Sequence, residues 1–148
     1  MKKKFNPTCL AIWVNRFIAL VLTALLFVLP VLLDWYSTVR ALNSAEYTAI
    51  AVAFYCCAAV VAIALCSLDR LLRSIRAGDV FIRKNVRRIR ILQWCCALVS
   101  LICLPAACIY YPLIFMVVIM GFLALVVCVV CRVMDAAVTI REENDLTI

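Results

Sequence analysis

Residues 68–90 read LDRLLRSIRAGDVFIRKNVRRIR, and this strongly basic stretch separates two long apolar runs. It holds eight of the 15 Lys and Arg residues in the chain. Four more, at positions 2, 3, 4 and 16, precede the first apolar run, while Arg132 and Arg141 follow the last one and Arg40 lies between the first and second. Because Lys and Arg beside membrane spans are retained in the cytoplasm, this pattern predicts four spans with both termini inside the cell.

The composition excludes an ordinary soluble domain. Hydrophobic residues make up 69% of the 148 residues, and the mean hydropathy is +1.15. Soluble chains are only about 45–50% apolar, so a soluble domain of this length has too little interior to bury so much apolar surface. We therefore predict an all-α, four-helix transmembrane bundle that forms one integral membrane domain over residues 1–148.

The apolar runs predict four spans, at about residues 12–33, 47–68, 91–109 and 113–133. The basic hairpin 69–90 and the tail 134–148 are predicted to lie in the cytoplasm, with Asp34–Glu46 and Tyr110-Tyr111-Pro112 as short outer loops. The first run is longer than the ~7–15 residues of a signal-peptide core, which favours a retained span over a cleaved signal.

The predicted spans carry almost no polar chemistry. Within residues 18–33, 48–68, 92–109 and 113–131 there is no Asp, Glu, Lys, Arg or His. Ionisable groups inside a membrane mark ion and proton pathways, so their absence argues against a coupled transporter or proton channel. It also argues against a membrane enzyme, and no cofactor is expected. Arg16, beside Asn15, is expected to snorkel to the inner headgroups, with pairing inside the bundle as the alternative.

Two short helices are predicted to extend spans two and three into the cytoplasm. Leu68, Leu71, Leu72 and Ile75 recur at helical spacing on one face, and Ile82, Val86 and Ile89 do so after the turn. Gly78 is suited to end the first helix and Asp79 to cap the second, which is expected to start at about that residue.

The basic hairpin has three interpretations. It forms a collar on an anionic inner leaflet, where each cation contributes about 1 kcal/mol, or it docks an acidic protein partner. Direct nucleic-acid binding is disfavoured, because Phe81 is the one aromatic residue in the basic run and no recognised binding module surrounds it.

The tail carries Glu142, Glu143 and Asp145, opposite in charge to the hairpin. We expect it to fold back, so that these acids meet the cations of the hairpin and its apolar end packs on the hairpin's apolar residues. The cations are Arg83, Lys84, Arg87 and Arg88, and the apolar contacts are Leu146 and Ile148 with Phe81 and Val86. The alternative is a solvated tail, since exposed ion pairs contribute only about 0–1 kcal/mol each.

The chain has ten cysteines, most of them within the spans. Cys128-Val-Val-Cys131 has the spacing of some metal and redox sites, but there is no His to complete a ligand set. Buried thiols are protonated and inert. Small apolar packing is the favoured role, because small residues allow close helix contact in membranes, and metal or redox sensing stays the alternative.

Two segments resemble a known bacterial family, domain-of-unknown-function family 2975. They are Leu71–Phe81, with Asn85 and Arg88-Ile89-Arg90 following it, and the C-terminal Arg141–Ile148. The resemblance implies a small, multi-pass protein of the bacterial inner (plasma) membrane without an assigned activity. Such proteins are often encoded beside a small helix-turn-helix regulator, which implies a regulatory partner at the membrane.

These observations favour a regulatory or interaction protein that docks a cytosolic partner, such as a small helix-turn-helix regulator, on the hairpin and tail. The alternative is a small uncoupled transporter or channel subunit, which would act as a homo-oligomer because four uncharged spans provide a poor polar path. The expected docking residues are Gly78, Phe81, Asn85, Arg87, Arg88, Glu142, Glu143, Asn144, Asp145 and Leu146. Apart from the lipid bilayer with its anionic inner leaflet, no further partner is predicted.

Overall fold

The computed structural model describes residues 7–78 and 81–146, except for the side chains of Pro7, Asp145 and Leu146. All regular structure in this part of the chain is helical. The helices are α1 (Pro7–Val39), α2 (Ser44–Arg76), α3 (Arg83–Ile109) and α4 (Ile114–Leu146), and a short 3₁₀ helix (Tyr111–Leu113) joins α3 to α4. Each of the four long helices is long and apolar enough to cross a membrane. The predictions of an all-α fold and of four such helices are confirmed.

The first connection is much shorter than the predicted loop Asp34–Glu46. Both flanking helices continue into it, so that only residues 40–43 separate α1 from α2. The hydroxyls of Ser37 and Thr38 donate to the Asp34 carbonyl at 2.7 and 2.9 Å, within the last turns of α1. The carboxylate of Glu46 accepts from the Asn43 N–H at 3.1 Å at the start of α2. The Glu46 contact satisfies a free N–H at the start of α2, as in a capping box.

The second connection follows the prediction at Gly78 and departs from it afterwards. α2 ends at Arg76, and the Gly78 N–H donates to the Ile75 carbonyl at 3.1 Å. Gly78 has φ +92°, in the region that favours glycine, so it ends the helix as expected. α3 begins at Arg83 with Ile82 in the N-cap position, later than the start expected at Asp79, which lies outside the described residues.

The third connection is the tight hairpin that the sequence predicts. α3 ends at Ile109, and the Leu113 N–H donates to the Tyr110 carbonyl at 3.1 Å across the 3₁₀ turn. α4 then runs without interruption to Leu146. The tail is therefore a continuation of the last helix and does not fold back as expected. The expected contacts of Leu146 and Ile148 lie outside the described side chains.

Close backbone packing joins helices that are consecutive in the chain. Among the described residues, α1 packs on α2, α2 on α3 and α3 on α4. An apolar cavity of about 210 Å³ lies between them, lined by residues of all four helices, among them Leu22, Phe54, Val99 and Met120. Within the described residues α1 and α4 share no close backbone contact, and the two ends of the bundle carry different chemistry. We call the end that contains residues 70–76 and 83–90 the basic end, and the opposite end, which contains Tyr36, Tyr47 and Tyr110, the aromatic end.

Candidate docking surface at the basic end

The basic end is built on an apolar cluster shared by three helices. Its buried members are Leu71 of α2, Val86 and Ile89 of α3, and Cys131 and Val138 of α4. Val138 is the most buried of them, with 1% of its surface exposed. The partly buried residues that pack against this cluster are Leu68, Ile75, Val127 and Met134. Burying the side chains of three helices together holds their ends as one unit.

The predicted apolar faces of the hairpin form one wall of this cluster. Leu71, Val86 and Ile89 are buried, and Leu68 and Ile75 pack against them, as their helical spacing predicts. The opposite wall comes from α4, where Cys131, Met134 and Val138 follow each other at intervals of three and four residues. The hairpin therefore packs on α4 through its apolar stripe and leaves its cations outside.

Asn85 lies inside this unit with no exposed surface. Its side-chain oxygen accepts from Arg88 Nη1 at 3.2 Å, and the same Arg88 nitrogen donates to the Arg70 carbonyl at 2.9 Å. The Cys131 thiol also contacts the α3 backbone, with its sulfur 3.8 Å from the Val86 carbonyl oxygen. Asn85 and Arg88 therefore join α3 to the last turns of α2 by polar bonds, and Arg88 is half-buried as a result.

Ion pairs join the start of α3 to the end of α4. Arg83 holds the Glu142 carboxylate in a bidentate arrangement, with Nη2 2.8 Å from Oε2 and Nε 3.1 Å from Oε1. Asp135, about two turns earlier on α4, lies between Arg83 at 3.8 Å and Arg90 at 3.9 Å. The expected meeting of tail acids with hairpin cations thus occurs at Arg83, although the acids reach it on a straight helix.

The structure places the expected docking residues in two groups. Asn85 is buried, Arg88 is half-buried and Glu142 is paired with Arg83, so these three hold the helix ends together. The exposed group surrounds the turn between α2 and α3 and the last turn of α4, and it consists of Gly78, Phe81, Arg87, Glu143 and Asn144. Asp145 and Leu146 belong to α4, but their side chains lie outside the described part.

The chain matches the family described as "Protein of unknown function (DUF2975)" over residues 18–148. The match includes residues 18–39 of α1 and the whole of α2, α3 and α4. The chain belongs to this family. No curated protein and no solved structure matches it.

Two features of this DUF2975 member were missed in the sequence. Asp135 lies between Arg83 and Arg90, and its spacing to Glu142, seven residues later on the same helical face, is the signal that could have found it. The second is a pair of polar groups between α1 and α2. Asn15 Nδ2 donates to the Leu65 carbonyl at 3.2 Å, and only the packing of α1 on α2 reveals this contact.

At the aromatic end of this DUF2975 member, tyrosine hydroxyls form hydrogen bonds between helices and connections. Tyr36 and Tyr110 are joined through their hydroxyls at 2.8 Å, and the Arg40 guanidinium lies 5.6 Å from the centre of the Tyr110 ring. The hydrogen bond between the two hydroxyls raises the pKa of Tyr110. Tyr47 donates to the Asp34 carboxylate at 3.1 Å. The contacts at this end join two neutral groups or one charged and one neutral group, whereas the basic end contains ion pairs.

The cysteines of this DUF2975 member are distributed through the helix packing. Cys95, Cys103 and Cys131 are buried, and the sulfurs of Cys57 and Cys103 lie 3.6 Å apart between α2 and α3. Cys131 fills a place in the apolar cluster next to Val86 and Val138. In the described ranges, no group of three or more His, Cys, Asp or Glu is arranged to hold a metal ion.

Proposed function

We propose that this DUF2975 member is a multi-pass protein of the bacterial inner membrane with both termini in the cytoplasm. In this role, the cytosolic ends of α2, α3 and α4 dock an acidic cytosolic protein, such as a small helix-turn-helix regulator. The single observation that carries it is the packed unit at the basic end, in which Asn85 has no exposed surface and Val138 has 1%.

The charge distribution supports this orientation. Salt bridges and hydrogen bonds bring Arg70, Arg83, Arg88 and Glu142 together at one end of the bundle. Arg16 lies near the same end, because its neighbour Asn15 bonds to Leu65 of α2. Arg40 is the one cation near the aromatic end within the described residues. Cations at span ends are retained in the cytoplasm, so the basic end is the cytosolic one.

The packed unit supports docking over a purely topogenic collar. A collar that only attracts anionic lipid needs exposed cations, and it gains nothing from ordering three helix ends around a shared core. Ordering costs conformational entropy in every fixed residue. Here that cost is met by burial of Val86, Ile89 and Val138, while Phe81, two residues before α3, and Arg87, in α3, stay exposed. An exposed aromatic ring and exposed cations on the same segment suit contact with an acidic protein surface.

Permeation through one copy has no support in the cavity between the four helices. That cavity has about 210 Å³ of space and an apolar lining without a charged or hydroxyl-bearing side chain. An ion or polar solute would lose its hydration there without receiving protein ligands in exchange.

The orientation is tested by reporter fusions to the full chain. Alkaline phosphatase inserted in the connection 40–43 should be active, and the same enzyme fused after Ile148 should be inactive. Green fluorescent protein should give the reverse pattern. An active phosphatase at the C-terminus would reject the cytosolic assignment of the basic end and with it the docking surface.

Docking is tested by crosslinking in intact membranes, followed by affinity purification and mass spectrometry. The wild-type chain is compared with Arg87→Glu, with a chain truncated after Thr139, and with Arg40→Gln as a control at the aromatic end. We expect a small DNA-binding regulator with wild type and the control, and its loss with both other variants. Recovery of lipid alone, or only of further copies of this chain, would reject the docking function.

A further inference from the structure

A groove between α1 and α2 is separate from the docking surface described above. It has a volume of about 510 Å³ and begins among polar residues at the basic end. From there it continues past Leu22, Leu26 and the small residues Ala58 and Ala62. Asn15 and Leu26 are eleven residues apart, which is about 16 Å of helix at 1.5 Å per residue. The groove is thus a trough with a polar mouth and an apolar length.

Two buried oxygen atoms at the mouth lack a hydrogen-bond partner among the described residues. Asn15 is 5% exposed; its Nδ2 donates to the Leu65 carbonyl at 3.2 Å, but its Oδ1 is unpaired. Asp69 accepts from Arg73 Nη2 at 2.8 Å through Oδ2, while its Oδ1 is buried and unpaired. Buried acceptors without a donor are rare in native structures and call for one.

The two unpaired acceptors belong to the same place. Asn15 is bonded to the carbonyl of Leu65, and Asp69 lies one helical turn after Leu65 on the same face of α2. Both side chains line the groove. One ligand group with several N–H donors and a positive charge would satisfy an amide oxygen and a carboxylate oxygen together.

Cations lie around these acceptors. Arg16 of α1 and Arg70 and Arg73 of α2 also line the groove, all three are exposed, and Arg73 is the one that holds Asp69 Oδ2. Guanidinium groups bind phosphate oxygens with good geometry, often through two N–H groups. The mouth therefore has buried acceptors for an ammonium group and exposed donors for a phosphate. The apolar part of the groove begins next to them.

We propose that this groove binds one phospholipid whose headgroup carries a primary amine, as phosphatidylethanolamine does. Its ammonium group donates to Asn15 Oδ1 and Asp69 Oδ1, its phosphate lies against Arg16 and Arg70, and one acyl chain lies along Leu22, Leu26 and Ala62. A choline headgroup carries no N–H and cannot make the two bonds, and a glycerol headgroup has only neutral hydroxyl donors, which make weaker hydrogen bonds than an ammonium group. The proposal is independent of any cytosolic partner.

The test uses the full-length protein in lipid nanodiscs of phosphatidylcholine. Each sample contains a small share of one photoactivatable lipid, with the reactive group on the acyl chain and an ethanolamine, choline or glycerol headgroup. Labelled peptides are identified by mass spectrometry. We expect the ethanolamine probe to label the stretches 19–26 and 58–65 about tenfold more than the choline probe, as for one charge-assisted hydrogen bond.

Two variants and a control locate the effect. Asp69→Asn should lower labelling by the ethanolamine probe to the level of the choline probe. Ala62→Trp should remove labelling inside the groove while leaving the polar mouth unchanged. Asp135→Asn, an acid at the same end but on α4, should keep the selectivity of wild type.

The wild-type comparison alone can overturn the proposal, even if a variant fails to reconstitute. Equal labelling by the ethanolamine and choline probes would mean ordinary boundary lipid without headgroup recognition. Stronger labelling by the glycerol probe would assign the site to anionic lipid held by the arginines, and the ammonium site would be rejected. A loss of selectivity in Asp135→Asn as large as that in Asp69→Asn would also reject it.

Discussion

Arg83 Nη2 lies 2.8 Å from Glu142 Oε2, so the first residue of α3 is bonded to the last turns of α4 across 59 positions of sequence. The two side chains are 61% and 48% exposed, so solvent screens their attraction and the pair contributes little to global stability. The pair acts locally: it holds the end of α4 beside the start of α3.

The first prediction concerns this pair. Arg83→Glu should raise amide hydrogen exchange in residues 139–144 of α4, because two carboxylates would then repel each other. The charge-swapped double variant Arg83→Glu with Glu142→Arg should return the exchange rates toward wild type. Arg87→Glu is the matched control, since Arg87 is exposed on the next turn of α3. Equal exchange in all four chains would show that the pair does not order α4.

The second prediction concerns the core of the basic end. Val138→Ala should lower the free energy of unfolding by about 1–3 kcal/mol, because it leaves a cavity at a position with 1% exposure. Val133→Ala is the control, since Val133 is on the same helix with 63% of its surface exposed. Thermal unfolding in one detergent would measure both. A similar loss in the two variants would contradict the packed cluster.

The third prediction separates holding residues from docking residues. Asn85→Ala should destabilise the protein by about 1–3 kcal/mol, because Arg88 loses an acceptor in a buried place. Arg87→Ala should leave stability unchanged and reduce crosslinking to a cytosolic partner. Melting temperature and crosslinking yield are measured on the same preparations. Unchanged stability in Asn85→Ala, with lost crosslinking, would place Asn85 in direct contact with the partner.

The fourth prediction compares the two glycines of the chain. Gly78→Ala should cost about 1–2 kcal/mol, because φ +92° is unfavourable for a residue with a Cβ. Space is not the reason, since among the described residues, chain neighbours aside, no atom lies within 4 Å of an added Cβ.

Gly121→Ala is the control for this prediction. Its Cβ would meet Ser100 Oγ at an ordinary 3.6 Å, inside a regular helix. It should be neutral or stabilising, because alanine is the better helix former. The two variants are compared by thermal unfolding, and equal effects would contradict the conformational explanation.

Several parts of the basic end could be predicted because they depend on local order. Gly78 ends α2 for a reason that involves only its own backbone and its neighbours. The stripe of Leu71, Val86 and Ile89 becomes the buried face because helical spacing alone brings such residues onto one side. The prediction of a cap at Asp79 differs from the structure, in which α3 has Ile82 in the N-cap position.

Other parts depended on which helices pack together. The bond from Asn15 to Leu65 joins residues 50 positions apart, and no local pattern marks it. The same holds for Asp135 between Arg83 and Arg90. The expected fold-back of the tail was wrong because α4 reaches Arg83 as a straight helix, and only the packing of α4 on α3 shows this.

The sequence by itself determined that the chain contains four long apolar helices, and it predicts that nearly all the cations lie on one side of the membrane. The hydropathy of a segment decides whether it can cross the bilayer as a helix, and the charges beside it decide its orientation. Both depend on that segment and not on how the helices pack. Only the tertiary structure decided that Asn85 is an interior residue, that Glu142 is bonded to Arg83, and that Asn15 and Asp69 share a groove. Each of these depends on the rotation and height at which one helix meets another, and many weak contacts together set that geometry.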